Sequence, residues 1–394
     1  MARSPSSNER IPPAGISAVQ STAPARSAVR CSCSVARGWR RSPSAQARRA
    51  SVSDVVPDLV TVGGLTVDNV ISADGTVALA QAGGNGAYSA VGALIWRPRV
   101  GLVSCAVDSY PRNTIRRLEA HGVDLGAVAW SDERLAACNW FIYDAQGRRE
   151  EGLTSPPEAL AEAGLPTGRL SPEEVSQWRG TLANRVAPDE VSYSDFRDRH
   201  PLTSAQIPPN WRGTSGVHLA PSQPEVLLSM LDFFGPGDTV VTADPGWQLA
   251  DRSLDEIAPI LARLDAFLPS EVELRALVPG AGLADALGEL ALRCPGAVMV
   301  KLGPEGVLVW DRIRNSSVAV PAEPAETVDP TGAGDSFCGG VLAGLVETGD
   351  AVRAARFGAI SAARIVARFG ADGPLPVDRA AAHGALEREA WECP

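Results

Sequence analysis

The chain has 394 residues and a mass of 41.2 kDa, enough for one large α/β domain, or two small ones, with a sizeable core. It is 45% apolar and 21% charged, and its longest uncharged run, residues 75–96, holds five Gly besides Gln81, Asn85 and Ser89, so collagen, coiled coil and integral membrane protein are excluded. Of the net −10, residues 1–50 contribute +8 (nine Arg against Glu9) and the rest −18, the wrong sign for a protein that binds nucleic acid by neutralising phosphates.

Residues 1–52 are rich in Arg, Ser, Ala and Pro and have no apolar periodicity. They read as a disordered basic tail, a targeting segment for organelle import, or the product of a misassigned start, and are outside the fold in each case. Residues 56–63 form a first buried strand. The runs 65–72 and 76–80, joined by Asp74-Gly75, predict a hairpin. A helix is expected over 86–95, a strand over 101–106, a helix over 113–121 and a strand over 135–143.

Residues 150–214 break the pattern with eight Pro, scattered charges and two Trp. Their one helix signal is Ser171–Trp178, where Ser171-Pro172-Glu173-Glu174 supplies a cap and first turn. The segment reads as an insertion, a surface flap with Trp178 and Trp211 exposed. Strands then return at 216–220, 239–243, 265–268, 297–302 and 306–310. Between and after them come helices at 224–234, 251–263, 271–277 and 283–293, and two more between 335 and 369. This alternation predicts a doubly wound, mostly parallel α/β sheet covered on both faces, with the hairpin in a small accessory sheet. The domain is placed at 56–380, followed by a C-terminal tail over 381–394.

Seven Cys without a CxxC pair and four scattered His argue against a zinc site or disulfide framework, and a reducing, cytoplasmic compartment is the default. Of 36 basic residues 35 are Arg, which reads as coding bias. The one Lys, Lys301, follows Ala-Val-Met-Val, so no P-loop exists; neither GxGxxG after the first strand nor a GxSxG elbow is present. What remains is Val328–Phe337, where Gly332-Ala333-Gly334 permits a tight turn with its amides outward and a helix starts at Asp335. Amides at a helix N-terminus suit the charge of a transferring phosphoryl group, and a carboxylate beside them can take a hydroxyl proton. Asp335 reads equally as a helix cap at this point.

With its neighbours the segment resembles the PfkB, or ribokinase-like, family of small-molecule kinases, whose signature D-x-x-G-A-G-D-x-F is met at Asp329–Phe337. The resemblance extends to Gly83-Gly84, Gly122-Val123-Asp124, Asp244-Pro245, the run 268–273 and the run 300–306, spanning about residues 58–376. It implies a small β-sheet lid from about 65–82 and 135–148, and an ATP-dependent kinase acting with Mg²⁺ on a hydroxyl of a sugar or sugar-like molecule. Asp335 is then the base and Gly332, Ala333 and Gly334 the anion hole. Asp68, Gly83, Gly84, Asn85 and Tyr88 lie on the acceptor side, and Ser270, Lys301, Gly303 and Gly306 near ATP. Glu273 holds Mg²⁺ through water, and Asp329 with Thr331 marks where many members take a monovalent cation such as K⁺. Outside the resemblance Asp68 reads as a turn residue, Glu273 as a surface charge and 303–306 as a hairpin turn.

Three motifs depart from the family pattern: Tyr88 replaces the Asn of Gly-Gly-x-x-x-Asn, Ser270 that of N-x-x-E, and the G-x-D-x-x-G segment survives only as Asp108, with Pro111 in its last place. The acceptor side has drifted, which puts ribokinase or fructokinase specificity in doubt. A nucleoside kinase of the same fold, with Tyr88 or an insertion Trp stacked on a base, and a non-catalytic sugar-binding or nucleotide-binding regulatory protein are the alternatives. The implied partner is a small sugar or nucleoside, with no nucleic acid or membrane and a homodimer left open.

Overall fold

The structure, a computed structural model, describes residues 55–387 apart from 108–109, 132–137, 146, 156–163, 165–167, 184–192, 236 and 313–314. The expectations for residues 1–52, Asp108 and 135–137 lie outside the described residues. In chain order the strands are β1 (Leu59–Val62), β2 (Thr66–Ile71), β3 (Thr76–Gly83), β4 (Val100–Val107), β5 (Val123–Ser131), β6 (Cys138–Tyr143) and β7 (Arg149–Ser155), then β8 (Gly168–Arg169), β9 (Gly216–Leu219), β10 (Val240–Ala243), β11 (Ala266–Phe267), β12 (Ala297–Lys301), β13 (Val307–Asp311) and β14 (Ser316–Val320). The α-helices are α1 (Asn85–Leu94), α2 (Arg112–Ala120), α3 (Pro172–Ala183), α4 (Tyr193–Arg199), α5 (Pro224–Phe234) and α6 (Gly246–Ala250), then α7 (Leu254–Leu261), α8 (Glu271–Leu277), α9 (Leu283–Arg293), α10 (Ala333–Thr348), α11 (Ala351–Val366) and α12 (Arg379–Glu387).

Nine strands form the large sheet in the order β14-β13-β12-β11-β10-β9-β1-β4-β5, parallel from β12 to β5, with β13 and β14 antiparallel at one edge. Successive strand residues face opposite sides. Val60, Val62, Val217, Leu219, Val241 and Phe267 join a core with α5, α7, α8 and α9. Leu59, Leu102, Ala266 and Met299 face the other side, toward α1, α10 and α11. Burial on both faces accounts for the near-continuous apolar strands. Helix α10 comes close to its neighbours because its contact positions are glycines: a Cβ on Gly339 would stand 2.0 Å from the Ser89 carbonyl oxygen of α1, and one on Gly344 2.6 Å from the Ala354 Cα of α11.

The second sheet has the order β7-β6-β2-β3-β8. The β2–β3 hairpin turns at Asp74-Gly75, with Gly75 at φ 86°, and β6 pairs parallel to β2. The range 150–214 is more structured than a flap. Its first residues continue in β7, Gly168–Arg169 adds β8, and α3 packs Leu182 into the small sheet's core. Trp211 is fully buried rather than exposed, with its ring against Gly101 of β4, where a Cβ would come within 2.6 Å of it. The C-terminal boundary also moves, because α12 crosses residue 380 and buries Ala382 and Ala385 beside Trp96. Two short Ala side chains gave that helix too weak an apolar face to read.

At mid-sheet, register sets Thr61, His218 and Thr242 side by side on the Leu59 face. His218 Nδ1 lies 2.9 Å from Thr242 Oγ1, and its Nε2 is buried without a partner among the described residues. Burial, with Lys301 adding, lowers the His218 pKa to about 3. The unfolded chain therefore binds a proton near the ordinary value of about 6.5 that the native state refuses. Stability is full above that value and falls as pH drops toward 3. His218→Gln should remove about one proton from the pH dependence of chemical denaturation between those limits; an unchanged profile would show that His218 is charged in the fold.

Candidate active site

Charged side chains gather at the carboxyl ends of the parallel strands. Asp244 follows β10 and Lys301 ends β12; the Lys301 ammonium ion-pairs with the Asp244 carboxylate, their side chains only 14% and 5% exposed. Cys338 Sγ lies 3.8 Å from the ammonium and 3.6 Å from that carboxylate. Gly334 rests on the lysine, since a Cβ there would meet Nζ, Cδ and Cε at 3.6–3.9 Å. Burial opposes the charge on Lys301, yet Asp244 and Glu273 outweigh it and its pKa is raised. Next to β12, Ser270 and Glu273 cap α8 reciprocally: Ser270 N and Oγ both donate to Glu273 at 2.7 Å, and Glu273 N donates to Ser270 Oγ at 3.4 Å. Burial and Asp244 push the Glu273 carboxyl up, against Lys301.

The glycine turn lies above this pair. Asp329 Oδ1 accepts from Thr331 N at 2.9 Å and Thr331 Oγ1 at 2.6 Å, whereas its buried Oδ2 has no partner among the described residues. Gly332 caps α10 at φ 75°, and a Cβ there would fall 2.2 Å from the Tyr88 ring, so only glycine fits. The Ala333 amide turns back onto the Pro330 carbonyl at 3.2 Å. Of the three residues expected in the anion hole, Ala333 thus has its amide engaged. The amides of Gly334 and Asp335 are in the first turn, where the helix itself supplies no carbonyl to take them. Asp335 is half-buried, and burial raises its pKa against the pull of Lys301 and Arg149.

Tyr143 and Arg149 come from the small sheet, paired across β6 and β7. The Tyr143 hydroxyl lies 2.7 Å from Thr331 Oγ1, and the Arg149 guanidinium, over the Phe141 ring at 4.6 Å, lowers the pKa of Asp329 and Asp335 against their burial. Nothing in the sequence pattern marked either residue. The lone lysine of an acidic chain was a signal that it has a carboxylate partner, and Asp244 is that partner.

The residues expected on the acceptor side form a third group. Asp68 is 2% exposed, takes a 2.9 Å bond from Thr66 Oγ1, and leaves no room for a side chain on Gly83. Asn85 faces the backbone, its Oδ1 accepting from Gly64 N at 2.6 Å, and Gly84 adopts φ 98° between them. Tyr88 is displaced from its expected place on the cleft surface: it is 2% exposed beneath Gly332, and its hydroxyl has no partner among the described residues. The Gly303–Gly306 turn divides in role, Gly303 facing open space and Gly306 packed where a Cβ would strike the Val320 carbonyl. Among the described residues no group of three or more His, Cys, Asp or Glu is arranged to hold a metal, and no helix is long and apolar enough to cross a membrane.

Gly332→Ala should be destabilising by about 1–3 kcal/mol through strain alone, and more through overlap with Tyr88. A thermal melt matching the parent would contradict this placement of the turn.

Residues 213–378 match the family model described as pfkB family carbohydrate kinase. The cytidine kinase of Thermococcus kodakarensis is 24% identical over 314 residues, covering 79% of this chain and 97% of its own. An E. coli chain designated ribokinase II, solved with ATP and Mg²⁺, superposes with a TM-score of 0.58 at 19% identity, over 85% of this chain and 100% of its own. The Burkholderia thailandensis nucleoside kinase in complex with inosine gives 0.59 at 16% identity, over 84% and 96%. Family model and fold agree with the Asp329–Phe337 signature: residues 213–378 match the pfkB family of carbohydrate kinases, and the fold is that of solved ribokinase structures.

Proposed function

We propose that the chain transfers the γ-phosphoryl group of ATP to a hydroxyl of a small sugar or of a nucleoside's sugar, with Asp335 as general base. The observation that carries this reading is the placing of Asp335 in the first turn of α10, beside the Gly334 amide and above the Lys301–Asp244 pair. The acceptor hydroxyl gives its proton to Asp335 as its oxygen attacks phosphorus in line. Charge gathering on the equatorial oxygens meets the amides of Gly334 and Asp335 and the positive end of a 16-residue helix. Arg149 adds a guanidinium from the small sheet, which acts as the lid, and Lys301 is the positive charge beneath the turn. Gly303, with open space about it, leaves room for the nucleotide beside Lys301.

A single carboxylate near the phosphates suits Mg²⁺, which takes most of its ligands from nucleotide and water. Glu273 is the residue that would hold it, and the ion would neutralise phosphate charge. The orphaned Asp329 Oδ2, with Thr331, fits a monovalent cation such as K⁺. A nucleoside acceptor is favoured by one observation: the relative aligned over 97% of its length is a cytidine kinase. No nucleic acid or membrane partner enters this reading, and it is independent of whether the chain pairs with itself.

Asp335→Asn should keep the fold and ATP affinity and lose roughly 10²–10⁴-fold in turnover. Near-normal turnover would remove Asp335 from the mechanism. In the parent, burial puts the acid limb of kcat/KM above the ordinary Asp value of about 3.9, because the base must be ionised. Lys301→Met, which removes a charge that lowers the pKa, should move that limb further up; a limb that stays in place or moves down would contradict the coupling.

A further inference from the structure

A chain of two buried hydrogen bonds joins the small sheet to the glycine turn. Thr331 Oγ1 lies 2.6 Å from Asp329 Oδ1 and 2.7 Å from the hydroxyl of Tyr143, the last residue of β6. Asp329 Oδ1 also takes the Thr331 amide at 2.9 Å, so that oxygen is an acceptor and the Thr331 hydroxyl spends its one proton on it. The direction of the other bond follows. Tyr143 donates to Thr331, and Thr331 donates to Asp329. Burial pushes the Tyr143 pKa up to about 12, so the phenol keeps its proton at neutral pH.

The two ends of this chain belong to different parts of the fold. Tyr143 is carried by β6, which pairs with β2 and β7 in the small sheet. At the other end the amides of Val328 and Asp329 both donate to the Val366 carbonyl of α11, at 2.8 and 3.0 Å. Thr331 stands between them, one residue before the Gly332 that caps α10. Tyr143, Thr331 and Asp329 are 7%, 5% and 1% exposed, so water offers little replacement for a broken link. Arg149 is the cross-strand neighbour of Tyr143, so the strand pair that brings the phenol also brings the guanidinium that acts on Asp335.

Resting on the kinase reading above, we propose that Tyr143 is a positioning residue, a latch through which the seated small sheet holds the glycine turn and its amides in place for transfer. Hydrogen exchange of the full chain, read by mass spectrometry without ligands, tests the latch apart from activity. Tyr143→Phe should speed exchange at least threefold both in β6 and in residues 328–335, and leave β9 and β10 as in the parent. Should that variant not fold, Thr331→Val breaks the link from the other side and should loosen β6 likewise. Exchange that quickens in β6 alone, or in neither segment, would overturn the proposal. Kinetics supply the second arm, on whichever sugar or nucleoside the parent phosphorylates fastest. Tyr143→Phe should lower kcat by about three- to tenfold, the net worth of one hydrogen bond, with the ATP KM within about twofold of the parent. In a Thr331→Val background the same change should alter kcat by less than about twofold. An equal loss in both backgrounds would show that Tyr143 acts elsewhere, and would overturn the latch while leaving the kinase reading intact. Absence of transfer by the parent would overturn the kinase reading, and the exchange arm would still decide whether the two elements are linked.

Discussion

The buried ion pair between Lys301 and Asp244 is the constraint on which the site depends. It links the ends of β10 and β12, and Gly334 packs directly on the lysine's alkyl stem. The chain has 46 acids and no second lysine, and this ammonium is largely out of water. Removing one partner of such a pair costs about 3–5 kcal/mol, because the other charge is left buried and alone. The same charge acts through space on three neighbours, restraining the pKa rise of Asp335 and Glu273 and adding to the burial that keeps His218 neutral. Fold and chemistry therefore share one electrostatic centre.

The glycine turn is held from both sides. Lys301 supports it at Gly334 and the Tyr88 ring at Gly332, while Tyr143 reaches Thr331 from the small sheet. A turn packed this closely keeps its amides aimed without reorganisation, which is where electrostatic stabilisation of a transition state is effective. Tyr88 packs beneath the turn: its ring fills the space that a bare Gly332 leaves. The small sheet does more than cover the site, because Arg149 brings a positive charge to Asp329 and Asp335 that the large sheet does not supply from that side.

Much of this was legible in the sequence where local rules and tertiary demands agree. Helices α8 and α9 fall at the residues the periodicity predicts, α8 because Ser270 and Glu273 cap it and α9 because its apolar face is unambiguous. The Gly332–Asp335 turn, with a helix beginning at once after it, was visible before any fold was known. β5 was not, because Asp124 and Gly126 interrupt its apolar run, and the edge strand β14 was hidden by its serines. The Pro-rich range 150–214 looked loose because its order is tertiary: β7 needs β6 as partner, and Trp211 needs the space at Gly101. Tyr143 and Arg149 reach the glycine turn only through the pairing of β6 with β2 and β7, which single-sequence periodicity does not encode. Side-chain direction was the other gap, since Asn85 and Tyr88 were expected to face a ligand and instead face backbone and core.

The most direct test of the central claim is ³¹P NMR of the full chain incubated with ATP, Mg²⁺ and a mixture of pentoses, hexoses and ribonucleosides. The account predicts a phosphomonoester resonance growing in step with ADP, with no matching inorganic phosphate. ADP accompanied by inorganic phosphate alone, or ATP unchanged in the presence of every acceptor, would contradict it.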